Sequence, residues 1–175
     1  MTPTGASGAA SGPRPDFDEF VAGRSGALLR TAYLLTHDRG LAEDLVQTAL
    51  TKAWFAWGRI EADPEPYVRK ILVNTYASWW RRRWHGEQPT ETLADGAADG
   101  PGERSDERHD LWLAMGRLPR RQRAVVVLRY VEDLTEAQTA ALLDCSVGTV
   151  KSQASRALAK LRVDPALDPT EGTSR

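Results

Sequence analysis

The chain has 175 residues, a formal charge of −1, three histidines and one cysteine. A lone cysteine, Cys145, cannot close an internal disulfide, and His37, His85 and His109 make no zinc-type spacing, so the composition predicts a reduced chain without metal or cofactor. No apolar run approaches the roughly 20 residues of a membrane helix, and the N-terminus lacks the charged-then-apolar order of a signal peptide; the expectation is a cytoplasmic protein with no membrane contact.

Residues 1–15 are small, polar and rich in Pro and Gly, which predicts a disordered N-terminal tail. Phe17, Phe20, Val21, Leu28, Ala32 and Leu35 then recur near helical spacing, giving a first helix of about five turns. His37 to Gly40 breaks it. A second helix runs from Leu41 to Trp57, with Leu45, Ala49, Ala53 and Trp57 in i, i+4 register and Glu43 and Asp44 in its first turn, where the helix dipole favours acids. Pro64 and Pro66 open a third helix, about Glu65 to Trp84. Its apolar stripe is Val68, Ile71, Leu72, Thr75 and Trp79, and Lys70, Asn74, Ala77 and Arg81 fall opposite.

Residues 86–108 are Gly-, Ala-, Asp- and Glu-rich with almost no large apolar side chain, which predicts a flexible acidic linker. Helical pattern resumes at about His109 with Leu111, Trp112, Met115 and Leu118. Another helix follows Pro119 through Arg129, and its block Ala124 to Leu128 implies burial on more than one side. Thr135 with Gln138 matches a capping box opening Glu136 to Leu143. Asp144, Cys145 and Ser146 form a turn, with Cys145 a small packing residue, and Ser146 caps a last helix from Val147 to about Arg162. Residues 163–175 close the chain as a tail. The fold class is therefore all-α: two small helical domains, 16–85 and 109–162, joined by the 86–108 linker.

Charge follows the same division. Residues 67–85 carry five bases and no acid, 86–110 carry eight acids and two bases, and 111–162 carry nine bases and four acids. Two basic modules around an acidic segment point to two nucleic-acid-facing surfaces. The last two helices have helix-turn-helix spacing, and the second offers Thr149, Lys151, Ser152, Ser155 and Arg156, side chains suited to base edges and phosphates. Trp79 to Trp84 interleaves aromatics with Arg81, Arg82 and Arg83, a composition that stacks unpaired bases and holds their backbone. No nucleophile constellation or phosphate-cradling glycine loop is present, so no enzymatic activity is expected.

These motifs, in this order, resemble the sigma-70 superfamily of bacterial RNA polymerase sigma factors, in its extracytoplasmic-function (ECF) type and within that the actinobacterial SigE family. Leu41 to Leu50 followed by Lys52-Ala53-Trp54 is similar to the region-two helix that docks on the β′ clamp helices. Pro66 to Asn74 is similar to the helix that leads into the −10 element. Leu118 to Arg123 with Arg129 to Thr135 resembles the opening of region four, and Val147 to Ser152 with Arg156-Ala157-Leu158 its −35-reading helix. The resemblance implies core RNA polymerase (β′ clamp helices and β flap) and promoter DNA as partners, with an anti-sigma factor as a further one and a monomeric free state. It assigns Glu43, Asp44 and Gln47 to polymerase binding, and Asn74, Trp79, Trp80, Arg81 and Arg82 to the −10 element. Thr149, Lys151, Ser152, Ser155 and Arg156 would read the −35 element. The acidic linker would repel DNA and thread the RNA exit path as a nucleic-acid mimic. After Asn74 the chain reads Thr75-Tyr76-Ala77-Ser78, where the family often has an acid before its arginines. The rival reading is a helix-turn-helix regulator that binds an operator without polymerase.

Overall fold

The computed structural model of the protein describes residues 15–83 and 106–167. The predicted tail before Pro15 and the linker up to residue 105 lie outside the described residues, as do Trp84 and residues 168–175. Among the described residues the fold is helical without a strand: α1 (Phe17–Thr36), α2 (Arg39–Ala56), α3 (Pro64–Arg83), α4 (Asp106–Gly116), α5 (Arg120–Val126), α6 (Glu136–Leu143) and α7 (Val147–Arg162).

The first three helices share one core. α1 packs along α2, and α2 along α3, burying Leu28, Ala32 and Leu35 of α1, Leu45, Ala49 and Ala53 of α2, and Val68 and Leu72 of α3. Each fully buried leucine contributes about 1.5–3 kcal/mol relative to an exposed one. The break between α1 and α2 is shorter than the sequence suggested, because Arg39 and Gly40 are helical. Asp38 is the cap: its Oδ1 accepts the Leu41 N–H at 2.9 Å. That moves the start of α2 back by two residues, and Glu43 and Asp44 therefore lie beyond its first turn. Pro64 opens α3, where its missing N–H costs nothing.

α3 departs further from expectation. Val68, Leu72 and Thr75 are buried as predicted and Ile71 and Trp79 partly so, but Val73, Tyr76, Ala77 and Trp80 are buried too. Ala77, placed on the solvent side by the stripe, is only 2% exposed. The reason is that α3 packs against α2 and also against α6. A helix between two layers buries two faces, and a single-stripe reading sees one.

The later helices form a second unit in which α7 packs on α5 and α6. α4 begins at Asp106, three residues ahead of the predicted start, and its Trp112 and Met115 are buried. α5 is capped by Pro119 and ends at Val126, after which residues 127–131 widen into a π turn. The Glu132 N–H reaches back five residues to the Val127 carbonyl at 2.9 Å. All of Ala124 to Leu128 is buried, as that apolar block implied. The Thr135–Gln138 capping box is formed in both directions. The chain after α7 folds back on α4 through a short turn at Pro165–Leu167, with Asp164 paired to Arg117.

The two units pack on each other, α1 against α5 and the 127–131 turn, α3 against α6. Asp38→Ala is expected to lower stability in urea denaturation by about 1 kcal/mol, and Asp38→Asn by only a few tenths, because asparagine keeps the capping acceptor; equal losses for both would show that the cap is not what Asp38 supplies.

Candidate nucleic-acid and polymerase interfaces

α2 presents one exposed face at helical spacing. Glu43, Asp44, Gln47, Thr51, Trp54 and Phe55 are exposed, while Ala42, Leu45, Val46, Ala49, Ala53 and Ala56 turn inward. Glu43 accepts from Arg39 Nε at 3.0 Å, an i, i+4 ion pair in solvent that adds a few tenths of a kcal/mol. Trp54 is 57% and Phe55 77% exposed. Phe17 supports this edge, its ring standing edge-on to both Trp54 and Trp57 at centroid distances of 5.0 Å. Adjacent exposed aromatics beside an acid–amide row form an apolar patch with a polar rim, the anatomy of a protein-docking surface. Phe55 was not singled out from the sequence, and Trp54 only within the Lys52-Ala53-Trp54 resemblance, because periodicity marks core faces; the available signal for their exposure was that both fall outside the Leu45–Ala49–Ala53 register.

The proposed −10 residues are not equally placed. Asn74, Arg81 and Arg82 are exposed, Trp79 is half-buried, and Trp80 is 4% exposed. Arg82 donates to the Ser78 hydroxyl at 3.1 Å, and the Arg83 guanidinium lies 5.4 Å from the centre of the Trp79 ring. Arg81 Nη2 donates to the Ala141 carbonyl of α6 at 3.3 Å. Trp80 instead belongs to the core, 6.2 Å from the Tyr76 ring. Tyr67, 42% exposed, shares the face of Asn74 and Arg81 at heptad spacing, an aromatic that the reading passed over. Lys52 ties α2 to this helix by donating to Thr75 Oγ1 at 3.1 Å.

The helix-turn-helix follows from local chemistry. Asp144 ends α6 in the left-handed region at φ 51°, which Asp tolerates because its short side chain can hydrogen-bond locally. Ser146 then opens α7, its Oγ accepting the Thr149 N–H at 3.0 Å. Val150 and Ala157 are buried, whereas Lys151, Ser152, Ser155 and Arg156 are exposed together and Thr149 sits half-buried at their edge. Gln153 is buried, and Val147 is 39% exposed. Lys151 pairs loosely with Glu136 of α6 at 3.7 Å. The exposed set is thus brought together on one helix face, with hydroxyl, ammonium and guanidinium groups within reach of a groove.

Comparison with known proteins agrees with this geometry. Residues 21–86 match the sigma-70 region 2 family and residues 108–161 the sigma-70 region 4 family. The RNA polymerase sigma-E factor of Streptomyces avermitilis is 43% identical over 150 residues, covering 84% of this chain and 83% of its own. That of Streptomyces antibioticus is 44% identical over 156 residues, covering 87% and 86%. Among solved structures, the sigma factor RpoE of Bartonella quintana, in complex with the anti-sigma factor NepR, aligns with a TM-score of 0.59 at 29% identity, over 87% of this chain and 98% of its own. The chain belongs to the sigma-70 family of RNA polymerase sigma factors, in its extracytoplasmic-function branch. It is a polymerase-binding initiation factor that confers promoter specificity.

Cys145 is half-buried in the turn, and burial is the largest cause raising its thiol above the usual value of 9.0, with Asp144 adding to it and Arg121 opposing. A raised pKa leaves less thiolate at neutral pH. Alkylation by iodoacetamide at pH 8 should therefore run slower than for free cysteine and rise at higher pH than the free thiol's; a rate equal to the free thiol's would contradict both the burial and the shift.

Proposed function

We propose that this initiation factor divides its work between a region-two module, residues 16–85, and a region-four module, residues 109–162. In this reading Glu43, Asp44 and Gln47, with Trp54 and Phe55, dock on the β′ clamp helices. Asn74, Trp79, Trp80, Arg81 and Arg82 hold the −10 element and an extruded base, whose unstacking costs a few kcal/mol that binding must offset. Thr149, Lys151, Ser152, Ser155 and Arg156 read the −35 duplex, and region four meets the β flap. The observation that carries the reading is the exposed α2 face, where bare aromatics continue a row of acid and amide side chains. An operator-binding regulator has no use for that face.

The protein itself is not catalytic in this account; polymerase supplies the chemistry. It acts in the cytoplasm, monomeric when free, and among its described residues no helix is long and apolar enough to cross a membrane. The anti-sigma partner of the Bartonella structure supports restraint of this chain by a protein of the same kind.

Run-off transcription tests the reading: purified protein is added to core polymerase on fragmented genomic DNA from its source, beside an Asp44→Arg, Gln47→Ala double variant. Discrete new transcripts that vanish with the variant are expected. Retained duplex binding without transcripts or polymerase binding would favour the operator regulator. For the −35 face, Lys151→Ala should weaken duplex binding across sequences and reduce the slope of log K against log salt by about 1. Its stability should change by less than about 0.5 kcal/mol, since the Glu136 pair is exposed. An unchanged salt slope would remove Lys151 from the phosphate contacts.

A further inference from the structure

The last residue of the α1 turn is an ionisable one held in an uncommon conformation. His37 is the C-cap of α1 in the left-handed region, at φ 49°, which glycine adopts freely and a residue with a side chain keeps where its surroundings hold it. What holds it is α4 of the other unit. The imidazole stacks on the Trp112 ring at 3.9 Å and 13°, and Trp112 stands edge-on to Tyr33 of α1 at 5.8 Å. Gly116 lets the ring lie against the backbone of α4, since a Cβ there would come within 2.5 Å of His37 Cε1 and Nε2.

This seat accepts one protonation state. Nε2 lies 3.1 Å from the Trp112 carbonyl, and a carbonyl only accepts, so Nε2 carries the hydrogen and Nδ1 is the bare nitrogen. Nδ1 is buried without a hydrogen-bond partner. A proton arriving there would put a second N–H in the interior with no acceptor, and a charge beside the Arg123 guanidinium of α5. Arg120, also of α5, adds positive charge near Arg123. The acids of the surrounding elements are turned elsewhere. Asp38, at the head of α2, is exposed and accepts the Leu41 N–H. Glu132 is engaged with Thr31 and Arg69. On α4, His109 is exposed, Asp110 is half-buried, and Arg117 is paired with Asp164. The Trp112 carbonyl and ring face favour a cation, but burial outweighs them, and with Arg123 it holds the imidazole pKa below its ordinary value.

We propose that His37 is a proton-operated release between the two modules: protonation at Nδ1 expels the ring from its seat on Trp112 and Gly116, so that acidification alone frees the α4–α7 unit from the α1–α3 unit. In the separated state the ring is in water and titrates near about 6.5. The packed state therefore has the full contribution of the neutral ring above that pH and loses it as pH falls below. About one pH unit lower, separation is about tenfold more favourable than at neutrality. This release depends on no assignment of a residue to DNA or polymerase, so it stands or falls separately from the initiation-factor reading.

The test compares the full chain as wild type and as His37→Asn, between about pH 7.5 and 5. Asparagine tolerates the left-handed backbone and carries an N–H donor, but it does not titrate. Nitrogen-correlated NMR follows protonation of the His37 ring, identified by its absence from the variant. X-ray scattering follows separation of the units, and far-UV circular dichroism follows helix content. In the wild type, ring protonation and expansion are expected to share one midpoint below about 6.5 at unchanged helix content. The variant is expected to stay compact throughout. Because it keeps His85, His109 and every carboxylate, expansion of both proteins at the same pH overturns the proposal. So does a ring that titrates in a compact molecule or at a different midpoint, a ring that stays neutral until the helices unfold, or a wild type already extended at pH 7.5. Should the variant be unfolded or expanded at pH 7.5, coincidence of the two midpoints in the wild type decides alone.

Discussion

The relation between the two halves of the molecule turns on a buried guanidinium. Arg123 of α5 is 2% exposed, and its hydrogen bonds run to the carbonyl of Leu35, 3.5 Å away, and to that of Leu118, 3.4 Å away. Leu35 lies in the last turn of α1, which carries no basic residue of its own. The negative end of the α1 dipole is thus met by a cation from the other domain, an interaction of up to about 2 kcal/mol in a partly buried setting. Desolvating a charge costs several kcal/mol, and burial accordingly lowers the guanidinium's pKa from its ordinary value. Arginine stays protonated despite this, so the group has to remain among carbonyls or return to water. It fixes where α5 sits on α1, and through α5 the position of the helix-turn-helix.

Other features near this point follow from the same constraint. His37, 9% exposed, sits beside Arg123, and its pKa is lowered chiefly by burial, with the nearby guanidinium adding to the effect. A neutral imidazole is therefore what the site accommodates. Tyr76 of α3 is fully buried, and burial raises its phenol above its usual value. The interior between the domains thus holds a cation and two groups kept neutral, and among the described residues the guanidinium's hydrogen bonds go to backbone carbonyls rather than to a carboxylate. Glu132, the acid that the π turn delivers at the rim, goes to Thr31 and Arg69.

Much of the architecture was legible because helices announce their ends chemically. The Thr135–Gln138 box, the Ser146 cap and the boundaries of α6 and α7 stand where their sequences put them. The exposed set on α7 was readable for the same reason, since the Ser146 cap marks where that helix starts and so which residues share a face. Elsewhere local pattern was insufficient. Asp38 outcompeted Gly40 as the effective boundary because a side-chain acceptor satisfies a helix N–H and glycine has none. Trp79 and Trp80 are adjacent, and no periodicity argument within α3 can tell that only the second is enclosed in the core. Tyr33, His37 and Trp112 carry no unusual spacing in their own helices; their meaning exists only across the domain boundary.

The resemblance assigned two adjacent tryptophans of α3 to DNA, and packing separates them. Trp80 is 4% exposed beside the Tyr76 ring. Trp79 is half-buried on a helix whose Asn74, Arg81 and Arg82 are exposed, and the Arg83 guanidinium lies over its ring at 5.4 Å. An aromatic face already partnered by a cation and bordered by further guanidiniums has the composition that stacks an unpaired base and holds its backbone, whereas a ring enclosed in a core can act only by fixing the helix that presents its neighbours.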